Sequence, residues 1–122
     1  MMSPDGTKKT VKRYGMVIEL KPEKIDEYKR LHADAWQGVL DTIELCGIRN
    51  YSIYYREIEP GKHRLFSYFE YIGDDFDADM EKMAADPVTQ EWWKHCVPCV
   101  TPVPTALEGE LWSVMEEVFH TD

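Results

Sequence analysis

The chain has 122 residues, 43% of them apolar, and a formal net charge of −9. That length suits one domain, and that apolar fraction suits a folded one. The acidic balance argues against nucleic acid or an anionic membrane surface as partner, since both need basic patches, and no apolar run approaches the roughly 18 residues of a membrane span.

Residues 1–10 (MMSPDGTKKT) are polar and lack the apolar core of a signal peptide. They read as a flexible tail ahead of a single domain over residues 11–122. Three cysteines make no disulfide framework, which points to a reducing cytoplasm.

Residues 11–20 (VKRYGMVIEL) are rich in Tyr, Val and Ile and read as the first strand. Residues 21–47 read as one long helix. Pro22 fits its first turn, Glu23, Asp26 and Glu27 suit the positive end of its dipole, and Gly47 sits at the usual C′ position. Spacing of four puts Tyr28, His32 and Trp36 in one column, continued by Val39 and Ile43.

Residues 48–57 (IRNYSIYYRE) form a second strand, with Tyr51, Ile53 and Tyr55 on one face and Asn50, Ser52 and Tyr54 on the other. Glu59-Pro60-Gly61-Lys62 is a turn. Residues 63–72 form the third strand, antiparallel to the second. Residues 74–84 read as another helix, with Phe76, Met80 and Met83 at helical spacing, and residues 88–96 as a further helical piece after Asp86-Pro87. A proline-bearing connection follows over 97–109, and residues 110–120 close the chain as a strand.

This order is β-α-β-β-α-β, the ferredoxin-like α+β arrangement. Helices on one side leave the other sheet face bare. A second copy of the chain is the natural cover, giving a homodimer. The pocket then lies between sheet and helix or between subunits.

Several constellations compete for a function. Cys96-Val97-Pro98-Cys99 is a C-x-x-C, but it follows a helix instead of opening one, and no second ligand pair stands at zinc spacing. Two ordinary thiols is the better reading. Asp75, Asp77 and Asp79 imitate a calcium loop, yet the required glycine is Met80 and the closing Glu is Asp86. No metal site is expected. Adjacent Trp92 and Trp93 point about 100° apart on a helix, so one indole can enter the core while the other lines a cavity. With Tyr51 and the Tyr28/His32 face, the aromatic supply favours a sugar or another ring-shaped polar ligand. No nucleophile elbow, phosphate loop or dinucleotide fingerprint is present. A histidine among tyrosines and tryptophans is equipped for proton transfer.

Tyr28-x-x-x-His32-x-x-x-Trp36, Asn50-Tyr51-Ser52-Ile53-Tyr54, Trp92-Trp93 and Glu116-Glu117-Val118-Phe119, in that order, resemble the L-rhamnose mutarotase family. The likeness runs from about residue 11 to the C-terminus. It implies a dimeric α+β barrel and cofactor-free interconversion of sugar anomers. It also implies His32 as proton donor, with Tyr28, Tyr51, Trp92 and Trp93 as sugar contacts. An L-fucose enzyme, a cofactor-free monooxygenase of the same architecture and a non-enzymatic sugar-binding module stay open as alternatives.

Overall fold

The computed structural model describes residues 11–122; the expected N-terminal tail lies outside them. Strand β1 (Lys12–Leu20) leads through a short 3₁₀ turn (Pro22–Lys24) into helices α1 (Ile25–Ala33) and α2 (Gln37–Leu45). The hairpin β2 (Ile48–Glu59) and β3 (Lys62–Tyr71) follows, then α3 (Phe76–Ala85) and α4 (Pro87–Cys96). A second 3₁₀ turn (Val97–Cys99), β4 (Val100–Thr101) and β5 (Ser113–Met115) complete the chain. No helix among the described residues is long and apolar enough to cross a membrane.

The sheet is antiparallel throughout, in the order β2-β3-β1, with the last lane beside β1. This is the ferredoxin-like order. The closing lane differs from the single strand expected over 110–120. It is built from two short pieces: β4 pairs with Glu19 and Leu20, and β5 pairs with Gly15 to Val17. Pro102 and Pro104 bar β4 from extending, because each lacks the N–H a ladder needs. Beyond Met115 the chain keeps beside β1 through side chains, as Arg13 grips Glu117 with two hydrogen bonds of 2.9 and 3.1 Å.

The long helix is likewise two helices. Asp34 leaves helical geometry (φ −136°, ψ 59°), and Trp36 is extended (φ −67°, ψ 137°) at the start of α2. No proline forces this break. Asp34 is a weak helix former, and Gly38 would cost about 1 kcal/mol inside a continuous helix. The Trp36 indole instead packs edge-on against Trp92 at 5.2 Å and His95 at 5.6 Å. Trp36 therefore leaves the column that Tyr28 and His32 keep. The proposed stop at Gly47 holds: it adopts φ +84°, a conformation that glycine reaches without penalty.

The sheet face toward the helices carries the core. Ile18, Leu20 and Leu65 pack with Tyr28, Cys99 and Val100 at one end. Ile48, Phe69 and Tyr71 pack with Phe76, Met80 and Met83 at the other, as the spacing of those three on α3 predicts. A bulge in β2 makes this possible. The pairing register jumps between Arg49 and Ser52, and Asn50 takes a positive φ of 51°, which asparagine tolerates better than most residues. The extra residue lets Ile48 enter the core while Tyr51 and Ile53 still face the helices. Strict alternation would have put Ile48 on the opposite face from Tyr51.

Helices α2 and α4 approach closely at Gly38, where a Cβ would stand 2.9 Å from Val88 Cγ1. Asp75 caps α3 by accepting from the Ala78 N–H at 3.1 Å. Asp86 caps α4 by accepting from the Thr89 N–H at 2.8 Å.

Candidate active site

Two adjoining cavities lie between β2 and the helices, and share a wall of His32, Tyr51, Trp92 and Trp93. The smaller, of about 240 Å³, adds Tyr28, Cys96, Val97, Val100, Leu111 and Trp112. The larger, of about 370 Å³, is completed by Val39, Leu40, Ile43 and Ile53 with Ala35, Met83 and Thr89. The latter volume is within the roughly 300–1,000 Å³ of small-molecule sites.

Tyr28, His32, Tyr51, Trp92 and Trp93, the five residues singled out in the sequence, all line the smaller cavity. Helix α1 delivers Tyr28 and His32 one turn apart, and their rings stack at 4.0 Å. Helix α4 delivers the indoles. Trp92 is 6% exposed and Trp93 is 39% exposed, so Trp92 serves the core and the wall while Trp93 stands at the rim. Trp92 also meets the His32 ring edge-on at 5.2 Å. Tyr51 arrives from β2 directly after the bulge.

Leu111 and Trp112 were not singled out. They come from the segment just before β5 and pack on the Ile18/Leu20/Leu65 core. A long irregular connection separates them from α4, so no periodicity points to them. In the sequence Cys96 stands out only as half of the C-x-x-C motif. Burial, with the neighbouring Cys99 thiol second, pushes its own thiol up to about 12. It closes α4, where the negative end of the dipole also disfavours a thiolate. Cys99 is shifted in the same direction by burial. These are thiols, not thiolates, the opposite of a redox-active pair. Among the described residues no three His, Cys, Asp or Glu side chains are grouped to hold a metal ion.

The electrostatics of the cavities are simple. Among the described residues neither is lined by Asp, Glu, Lys or Arg. Burial raises the Tyr28 phenol far above its ordinary value, and raises Tyr51 as well. Tyr51 is 44% exposed, which is no conflict, because a group lining an open cleft is both wet and surrounded by protein. Both phenols stay protonated near neutrality. His32 is shifted the other way: burial lowers its pKa, and a hydrogen bond to the Tyr28 backbone only partly opposes this. His32 Nδ1 lies 2.9 Å from the Tyr28 carbonyl oxygen. A carbonyl can only accept, so Nδ1 carries the proton and donates it. In the neutral ring the lone pair is then on Nε2. The cavity thus holds one imidazole, favoured in its neutral form by burial and held as a base between two aromatic neighbours.

A family model for L-rhamnose mutarotase matches residues 13–121. The L-rhamnose mutarotase of Oceanobacillus iheyensis is 32% identical over 118 residues, spanning 92% of this chain and 100% of that protein. That of Bacillus subtilis is 33% identical over 116 residues, with 92% and 100% covered. In fold, the crystal structure of L-rhamnose mutarotase from Formosa agariphila is similar at a TM-score of 0.68 and 21% identity, over 91% of this chain and 99% of that one. By sequence match across nearly its whole length, this chain belongs to the L-rhamnose mutarotase family.

Proposed function

We propose that this protein interconverts the α and β anomers of L-rhamnose, with His32 as the proton-exchanging group and Tyr28, Tyr51, Trp92 and Trp93 as sugar contacts. The observation that carries this is a charge-free aromatic cavity whose one imidazole, His32, burial favours in its neutral form. Family membership supplies the reaction.

The chemistry needs one proton moved between two oxygens on the same carbon. Neutral His32 takes the proton of the anomeric hydroxyl at Nε2, and the C1–O5 bond breaks as the C1–O1 carbonyl forms. The resulting Nε2–H returns the proton to O5, giving the neutral open-chain aldehyde. Rotation about C1–C2 and the reverse sequence close the ring on the other face. Because O1 and O5 share C1, a single imidazole can reach both. In this order His32 acts first as base and then as acid, a refinement of a simple proton donor. The phenols of Tyr28 and Tyr51 are protonated and suited to donate hydrogen bonds to sugar oxygens. The indoles offer flat apolar faces to the C–H groups of the ring.

The chain also forms a homodimer in this reading. All four helices cover one sheet face, and among the described residues the other presents Val17, Tyr54, Phe66, Tyr68 and Met115 with no helix over them. The three free cysteines suit a reducing compartment such as the cytoplasm. Saturation transfer between the α and β anomer proton signals tests the function, with L-rhamnose and L-fucose in parallel. Exchange above the spontaneous rate on L-rhamnose is expected. Sugar binding without faster exchange would instead identify a binding module.

A further inference from the structure

The five residues assigned to the sugar ring line the smaller cavity, which leaves the larger one without a role. His32 lies on the wall common to both. A sugar whose ring sits in the smaller cavity must bring C1 and O5 to His32, and so to the junction. C5 is bonded to O5. The substituent on C5 is therefore two bonds from the reacting oxygen and next to the mouth of the larger cavity.

The walls that belong to that cavity alone are apolar. Helix α2 contributes Val39, Leu40 and Ile43, β2 contributes Ile53, and α3 contributes Met83. The one polar side chain added there is Thr89, which is 2% exposed and donates its hydroxyl to Asp86 Oδ2 at 2.9 Å. Away from the shared wall of His32, Tyr51, Trp92 and Trp93, a methyl group meets chiefly aliphatic and thioether neighbours. A hydroxymethyl group turned toward those walls would give up water at its oxygen and find no free partner on them in exchange, and an unpaired polar group in such surroundings is unfavourable.

We infer that the larger cavity reads the C5 substituent and selects methyl over hydroxymethyl, with Leu40, Ile43 and Met83 among the specificity-determining side chains. The inference rests on anomer exchange at His32.

Three sugars isolate the effect. L-rhamnose carries a methyl on C5, L-lyxose carries hydrogen there, and L-mannose carries a hydroxymethyl, on otherwise the same ring. The kcat/KM for anomer exchange of each is measured by saturation transfer. L-rhamnose should exceed each of the others by about 10-fold or more, the size expected for one carbon or one hydroxyl in an apolar pocket. Met83→Gln nearly keeps the side-chain shape and adds an amide. Leu40→Gln also adds an amide, at a position already 45% exposed, where a polar group is tolerated by the fold. Either variant should move the L-mannose to L-rhamnose ratio about tenfold toward L-mannose. Equal kcat/KM for the three sugars in wild type would overturn the inference and leave the anomer-exchange reading standing. So would an unchanged ratio in both folded variants. No exchange of L-rhamnose at all would overturn that reading, and the inference with it.

Discussion

Replacing His32 by Ala removes the one imidazole that lines the cavity. General acid–base catalysis contributes typically 10²–10⁴-fold, which at 1.36 kcal/mol per tenfold is about 2.7–5.4 kcal/mol of barrier. The other titratable side chains on the wall, Tyr28, Tyr51 and Cys96, are all pushed up by burial and do not take over, so the loss should fall within that range. The cost in stability is smaller. His32 stacks on Tyr28 at 4.0 Å and meets Trp92 at 5.2 Å, and such aromatic contacts are worth about 0.5–1.5 kcal/mol each. Domains of this size carry about 5–15 kcal/mol, so the variant folds. His32→Phe keeps a flat ring between Tyr28 and Trp92 and separates lost packing from lost chemistry. Both variants should lose turnover with little change in KM, as expected when a group acts chiefly in the transition state. The pH profile gives a second readout. Burial lowers the His32 pKa below 6.5 in the folded protein, and the neutral ring is the competent form. Activity should be flat above pH 6.5 and fall as pH drops through the lowered pKa. The same shift makes the unfolded chain bind the extra proton first, so His32 also costs stability as pH falls below 6.5. The assay is saturation transfer on L-rhamnose against the spontaneous rate. A folded His32→Ala protein exchanging anomers at the wild-type rate would refute the assignment, and an acid limb centred above pH 6.5 would refute the environment deduced for the ring.

Three further outcomes follow from the same geometry. Trp93→Phe should weaken sugar binding roughly 3- to 10-fold, about 1 kcal/mol, with little change in urea stability, whereas Trp92→Phe should lose both, because Trp92 is buried and Trp93 stands at the rim; fluorescence titration beside urea unfolding checks this, and equal stability losses with intact affinity would make both plain core. Gly38→Ala should destabilise by about 1–2 kcal/mol, since overpacking against Val88 outweighs the gain in helix propensity; Val88→Ala in the same chain should recover most of the loss, and additive behaviour of the two changes would contradict the close contact. Sedimentation should show a dimer at micromolar concentration, and a stable folded monomer there would remove the proposed cover of the open sheet face.

Much of this molecule was legible in its amino acids because the signals are local. Strand residues rich in Val, Ile and Tyr, the Pro60-Gly61 turn and the Gly47 stop each act over a few positions, and together they specify a hairpin flanked by helices. The pair Tyr28 and His32 could be placed on one face from their spacing alone, and adjacent Trp92 and Trp93 could be divided between core and rim by the 100° step of a helix. Tertiary contacts decided the rest. Trp36 left the helical column because Trp92 and His95 lie across from it, and neither is near in sequence. Asn50 absorbed a bulge because Ile48 and Tyr51 must face the same layer, a demand set by packing and not by strand propensity. The closing lane split in two because prolines after Thr101 end one piece and the free edge of β1 accepts another. Trp112 reached the cavity along a connection with no period to read. The base form of His32 also waited on the fold, since a ring nitrogen's proton is assigned by the partner it meets, and here that partner is the Tyr28 carbonyl 2.9 Å away.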